Sequence, residues 1–157
     1  MEPTTLDTVG KCNFNGSLSS DDLWRGNFSS HSKEDPDTGE LISISYNQIE
    51  QWVRVIDIDS QGTIQRRRTF SLLRPSLLLD FAITQSRLVF ADSPLVLNMV
   101  GLLTSSTSFE FDYMQPGRFG IVSRHDVNSN NVVWIDKECC MNFHVLNADD
   151  DPAEPHK

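Results

Sequence analysis

Cysteine is scarce in this chain: three in 157 residues, an odd number. That excludes a disulfide scaffold and fits a reducing compartment. The sequons at Asn15-Gly16-Ser17 and Asn27-Phe28-Ser29 then read as chance matches, because glycosylation needs the secretory route. Basic residues are also short, with 13 Lys and Arg against 22 Asp and Glu, a net charge of −9 and a pI near 4.7. Neutralising phosphates requires clustered cations, so the charge argues against nucleic acid and disfavours an anionic membrane surface as partner, with Arg66-Arg67-Arg68 the local exception. No apolar run approaches the roughly 18 residues of a membrane span. The opening residues lack the basic start and apolar stretch of a signal peptide. These absences together predict a soluble protein of the cytoplasm or the plastid stroma.

Motifs that announce chemistry are missing too. There is no H-E-x-x-H or C-x-x-C, no G-x-S-x-G and no Gly-rich phosphate loop. His31 and His156 fall in polar segments expected to be mobile, and His125 abuts a turn. None stands at a metal-ligand spacing from another His or Cys along the chain. The expectation is therefore no metal and no catalytic residue, with enzyme activity disfavoured.

What is present is alternation. Ile42, Ile44 and Tyr46 alternate with Ser43, Ser45 and Asn47, the period of a half-buried strand. "QWVRVIDID" and "TIQRRRTFSLL" alternate on either side of the turn Asp59-Ser60-Gln61-Gly62, which predicts a β-hairpin over 51–72. Strand is also favoured in the apolar stretch around 81–90. "LVLNMVGLL" has no strict period and reads as strand or helix. "FEFDYM" puts Phe109, Phe111 and Tyr113 on one face, and Pro116-Gly117 leads into "RFGIVSRHDV" and a terminal hairpin. Short extended segments at spacings of about 8–12 residues are the pattern of an all-β barrel or sandwich. The expected organisation is a flexible arm over 1–20, one β-domain over 21–146 and an acidic, disordered tail over 147–157.

Two stretches carry a family resemblance. Trp24-x-Gly26-x-Phe28 in "DDLWRGNF" and the run "GRFGIVSRHDVNSNNVVWIDKE" resemble the opening strand and closing hairpin of a lipocalin-like (calycin) family of cyanobacteria and plastids. That family is related to the lyases that load bilins onto phycobiliproteins. The resemblance implies a single antiparallel up-and-down β-barrel with little helix, a fold that often holds one small ligand in its mouth. It implies no catalytic residue.

The candidate ligand contacts follow from the alternation. Ile64, Arg66, Arg68, Phe70 and Leu72 share a face opposite a wholly polar one, so Arg66 and Arg68 point toward the interior or its rim. An inward Arg needs an internal carboxylate or an acidic ligand head group, and internal pairing is the commoner outcome. Trp52, Phe111 and Tyr113 are candidate pocket walls, weighed against plain core packing. Asp57 and Asp59, next to a turn, read as solubilising edges. In "WIDKECCMNFH", continued alternation places Cys139 in the core as a small apolar residue and separates Cys140 from His144 along the strand.

The function expected from these readings is non-catalytic binding of a small apolar or amphipathic molecule, tetrapyrrole- or lipid-like, as an accessory or carrier factor. Two alternatives stand beside it: a module docking onto a larger protein complex, and a bilin lyase-like activity.

Overall fold

The computed structural model describes residues 4–10, 14, 27–104, 107–126 and 131–153. Its strands are β1 (Asn27–Phe28), β2 (Lys33–Glu34), β3 (Leu41–Asn47), β4 (Trp52–Ile58), β5 (Ile64–Ser71), β6 (Phe81–Ile83), β7 (Arg87–Asp92), β8 (Leu95–Leu97), β9 (Phe109–Phe111), β10 (Gly117–Ser123) and β11 (Val133–Lys137). One short helix, α1 (Met99–Leu103), completes the described elements. The chain is thus nearly all β, as its alternation predicts.

The strands do not close into a barrel. They form a five-stranded sheet in the order β1-β3-β4-β5 with β2 also on β3, a four-stranded sheet β11-β10-β7-β6, and a two-stranded ribbon β8-β9. Each described pairing between strands is antiparallel. The expectation of one up-and-down barrel is corrected on this point. Regularly spaced strands with tight turns signal local antiparallel pairing, and that pairing is common to barrels, sandwiches and repeated small sheets.

Local chemistry fixes the hairpins. In the β4–β5 turn the Asp59 carboxylate accepts from the Gln61 and Thr63 amides at 2.9 and 2.8 Å. Gly62 takes a φ of +80°, which residues with a Cβ rarely adopt. A register shift between Asp57 and Ile58 then bends the pair.

The two larger sheets pack against each other. Ile42, Ile44, Val53, Val55 and Phe70 of the first share one buried cluster with Phe81, Leu88, Phe90 and Val122 of the second, joined by Leu72 and Leu78 from the segment between β5 and β6. Full burial of each such aliphatic or aromatic side chain stabilises by about 1.5–3 kcal/mol. Gly120 of β10 lies opposite both Phe90 and Trp134. Those two rings meet edge to face with centroids 5.6 Å apart, across space that a side chain on residue 120 would occupy.

The stretch "DDLWRGNF", which resembles an opening strand, is described only at Asn27 and Phe28, where β1 lies. Most of the expected arm over 1–20 is outside the described residues, as is His156. In the acidic C-terminal stretch, Asp150 accepts from the Thr84 hydroxyl at 2.7 Å and from the Ser86 amide and hydroxyl at 2.8 and 2.9 Å. The unpatterned "LVLNMVGLL" divides between β8 and α1, whose start is capped by Asn98 accepting from the Gly101 amide.

Candidate metal centre

The five residues expected to form a ligand pocket are not gathered in one place. Arg66 and Arg68 lie on the inner face of β5, where the burial pattern follows the alternation read from sequence. Along the paired inner faces of β4 and β5, Val53 opposes Phe70, Val55 opposes Arg68 and Asp57 opposes Arg66. The face thus passes from apolar to ionic. Both guanidinium groups approach the buried Asp57 carboxylate, with Arg68 Nη2 at 3.5 Å. Arg66 and Arg68 also donate to the backbone carbonyls of Arg124 and Ser123, at the end of β10. Arg124 reaches back to Asp35 and Glu40.

Asp57 is therefore an interior counter-ion rather than a solubilising edge. The two arginines join one sheet to the other. Burial holds the Arg68 guanidinium below its ordinary pKa, partly offset by Asp57.

Trp52 is elsewhere, half-buried, with its Nε1 donating to Glu50 at 2.8 Å and the Arg54 guanidinium 4.7 Å from its ring. Phe111 and Tyr113 are at the end of the β8–β9 ribbon, their ring centroids 4.8 Å apart, with Tyr113 81% exposed. Cys139 and Cys140 are also exposed, because β11 ends at Lys137 and the alternation does not continue through the cysteines. The core placement of Cys139 is corrected accordingly.

A different set of residues does converge. His31 occupies the turn between β1 and β2, where its amide donates to the Ser29 hydroxyl at 3.0 Å. His144 belongs to the irregular segment after β11, and Asp80 immediately precedes β6. The two imidazoles stand edge to face with centroids 4.9 Å apart. One ligand atom from each of His31, Asp80 and His144 lies within 4.8 Å of the other two.

Asp80 is the buried member, and His144 the exposed one. One Asp80 oxygen accepts from the Phe81 amide at 2.8 Å and pairs with Lys33 Nζ at 2.8 Å. The other accepts from the Val145 amide at 2.9 Å and faces His144 Nδ1 at 3.8 Å. Burial alone would raise the pKa of this carboxyl. The Lys33 ammonium and the two amides outweigh burial and hold it below the ordinary carboxylate value.

Two neighbouring imidazoles suit a first-row divalent metal such as iron, copper or zinc. Imidazole nitrogens bind a first-row metal at about 2.0–2.1 Å, so the cluster would need to contract to hold one ion. Exposed His144 lies in irregular backbone, and His31 in a turn, so neither ring is locked in a regular strand. The chemistry of the donors fits a metal.

The family model described as RPE65, retinal pigment epithelial membrane protein, matches residues 1–155. The chain belongs to the RPE65 family. The carotenoid 9,10(9',10')-cleavage dioxygenase 1 of Pisum sativum is 30% identical over 149 residues, 94% of this chain and 26% of that protein. The chloroplastic 9-cis-epoxycarotenoid dioxygenase NCED6 of Arabidopsis thaliana is 27% identical over 150 residues, 95% of this chain and 25% of that protein. The chain spans about a quarter of the length of these relatives. Among solved structures, the lignostilbene dioxygenase of Pseudomonas brassicacearum has a TM-score of 0.75 at 25% identity, over 87% of this chain and 28% of that one. Cobalt-substituted Synechocystis ACO has a TM-score of 0.75 at 21% identity, over 92% of this chain and 31% of that one.

Membership of the RPE65 family overturns the resemblance to lipocalin-like barrels and bilin lyases. The relatives are named as dioxygenases, so the expectations of a non-catalytic carrier or accessory factor, and of no enzyme activity, are corrected as well. The expectation of a tetrapyrrole or lipid cofactor and no metal is corrected by the candidate metal cluster that His31, Asp80 and His144 form in a chain of the RPE65 family. Some relatives are chloroplastic, and no helix among the described residues is long and apolar enough to cross a membrane.

One sequence signal pointed to this centre. Asp80 interrupts the most apolar run of the chain, "LLLDFAI", and a carboxylate in such a run is rarely buried without partners. Those partners bring the two histidine segments together.

Proposed function

We propose that this chain forms part of a metal-dependent oxygenase that cleaves a carbon–carbon double bond in a conjugated, apolar substrate. The observation that carries this reading is the His31–Asp80–His144 cluster in a chain of the RPE65 family. The names of the relatives support the substrate class, carotenoids and lignostilbene both containing conjugated double bonds.

His31 and His144 would hold a divalent iron, which when bound supplies the one-electron chemistry that makes dioxygen reactive toward an alkene. The reaction balances as one alkene and one O₂ giving two carbonyl products, each receiving one oxygen atom. This chain's residues bring the two imidazoles together beside the Asp80 carboxylate and its Lys33 partner. The two larger sheets, each of successive antiparallel strands, are read as neighbouring blades of a propeller. The relatives' greater length supplies further blades and further ligands on this reading.

The test is loading of the whole oxygenase of which this chain forms part with Fe(II) under anaerobic conditions, followed by oxygen with an apocarotenal or a hydroxystilbene. The expected result is oxygen uptake with aldehyde formation, lost in His31→Ala and His144→Ala. Uptake that is absent with both substrates, or unaltered in both variants, would overturn the proposal.

A further inference from the structure

Asp80 bonds to both histidine-bearing segments. Lys33, paired with its Oδ1 at 2.8 Å, lies two residues after His31. Val145, whose amide donates to its Oδ2 at 2.9 Å, directly follows His144. The Phe81 amide, donating to Oδ1 at 2.8 Å, fixes the carboxylate at the start of β6. We infer that Asp80 is a positioning residue: it sets the spacing of His31 and His144 and stays outside the coordination shell of the ion they hold. This rests on the metal-site reading above and assigns a role within it.

The competition for the carboxylate decides between clamp and ligand. Oδ1 has two lone pairs and two donors already on it, one of them an ammonium. A metal ion at Oδ1 would have to displace Lys33 or lie beside its like charge. Oδ2 has the Val145 amide on it and His144 Nδ1 3.8 Å away. At 3.8 Å that ring nitrogen is beyond hydrogen-bond distance, so Asp80 holds the His144 segment through the Val145 amide and leaves the imidazole itself for the metal. The Asp80 side chain is 4% exposed, whereas Lys33 keeps 29% of its side chain in solvent. The clamp is therefore closed from the surface by a side chain that itself reaches solvent.

Lys33→Met separates the two roles by the sign of its effect. If Asp80 were a ligand, removing the competing ammonium would free the carboxylate and tighten Co(II) binding. As a clamp, Asp80 loses its hold on the His31 turn, and Co(II) affinity falls, by about tenfold, within the 10–100-fold range of lost outer-shell partners. Co(II) titration followed by d–d absorption reads both affinity and ligand set. Asp80→Asn is expected to weaken binding with the absorption bands unmoved, since the ligand atoms are unchanged.

A second readout needs no metal. Hydrogen exchange on the metal-free protein should quicken in Lys33→Met at residues 30–33 and, in Asp80→Asn, also at 144–146, with the core strands β7 and β10 unaffected. Tighter Co(II) binding in Lys33→Met, or shifted bands in Asp80→Asn, would overturn the clamp. If instead the unmodified protein binds no Co(II), or His31→Ala binds it equally well, the metal reading fails, and with it the assignment of Asp80 to that metal.

Discussion

His31 and His144 meet edge to face, their ring centroids 4.9 Å apart and the planes inclined at 62°, although one belongs to the turn before β2 and the other to the segment after β11. Neither ring is in the apolar core between the sheets. His144 is exposed and His31 half-buried, so truncating either removes little packing. His31→Ala and His144→Ala are each expected to lower Co(II) affinity by at least tenfold while changing unfolding free energy by no more than about 1 kcal/mol. Isothermal titration with Co(II) and urea unfolding of the metal-free protein check the two halves of this expectation separately.

Asp57 serves two guanidinium groups from inside the protein, and its loss strands the more deeply buried one. The Arg68 side chain is 3% exposed and that of Arg66 is 24% exposed. Asp57→Ala should cost about 3 kcal/mol, toward the low end for leaving a buried charge unpaired, because Arg68 keeps its bond to the Ser123 carbonyl. Arg66→Met should cost about 1 kcal/mol, since Arg68 still neutralises Asp57. Urea midpoints of the two variants give the ranking, and equal losses would mean that Arg66, not Arg68, carries the pair.

The strands were legible because their faces differ. In β5, Arg68 and Phe70 are buried while Arg67, Thr69 and Ser71 are exposed, and that contrast is written directly in the sequence. The joining of the sheets was not legible. A strand's alternation records which face is covered and says nothing about whether the next sheet closes a barrel or stacks beside it. "LVLNMVGLL" hid both β8 and α1 because Leu95, Val96 and Leu97 are all partly buried, while Met99, Val100, Leu102 and Leu103 are all exposed, so neither element shows a periodic face. The metal cluster was hidden for another reason. His31 and His144 approach through the bonds of Asp80 to Lys33 and Val145, contacts between segments remote in sequence, and no spacing motif encodes them.

Acid should weaken the junction between the sheets through Asp35. Its hydrogen bond with Arg124 lowers its pKa below the ordinary 3.8, against an opposing effect of burial and with help from the Asp37 and Thr38 amides. The folded protein therefore binds fewer protons at this site than the unfolded chain near pH 3.8. The resulting stabilisation is complete above that pH and is lost as pH falls toward and through the lowered folded value. Asp35→Asn should reduce stability at pH 6 and flatten its decline between pH 4 and pH 2. Urea unfolding across that range checks the slope, and a parallel decline in the variant would place the acid sensitivity elsewhere.

Gly120 is where the second sheet has least room to change. A Cβ there would lie 2.4 Å from Phe90 Cζ and 2.9 Å from Trp134 Cζ3, both closer than real Cβ contacts. Phe90 is fully buried, so its ring has few directions in which to yield. Trp134 is less constrained but also carries the Arg118 guanidinium 3.6 Å from its ring, and Arg118 in turn holds Asp92 at 2.6 Å. Displacing the indole therefore disturbs an ion pair as well as an aromatic contact. Gly120→Ala should destabilise by about 1–3 kcal/mol, the usual cost of an added methyl group in a packed core. Gly120→Ala combined with Phe90→Leu should recover part of that loss, because the shorter side chain vacates the contested space. Near-ultraviolet circular dichroism of Trp134 and urea unfolding of the single and double variants check the coupling; strictly additive losses would show that the methyl group is accommodated away from Phe90.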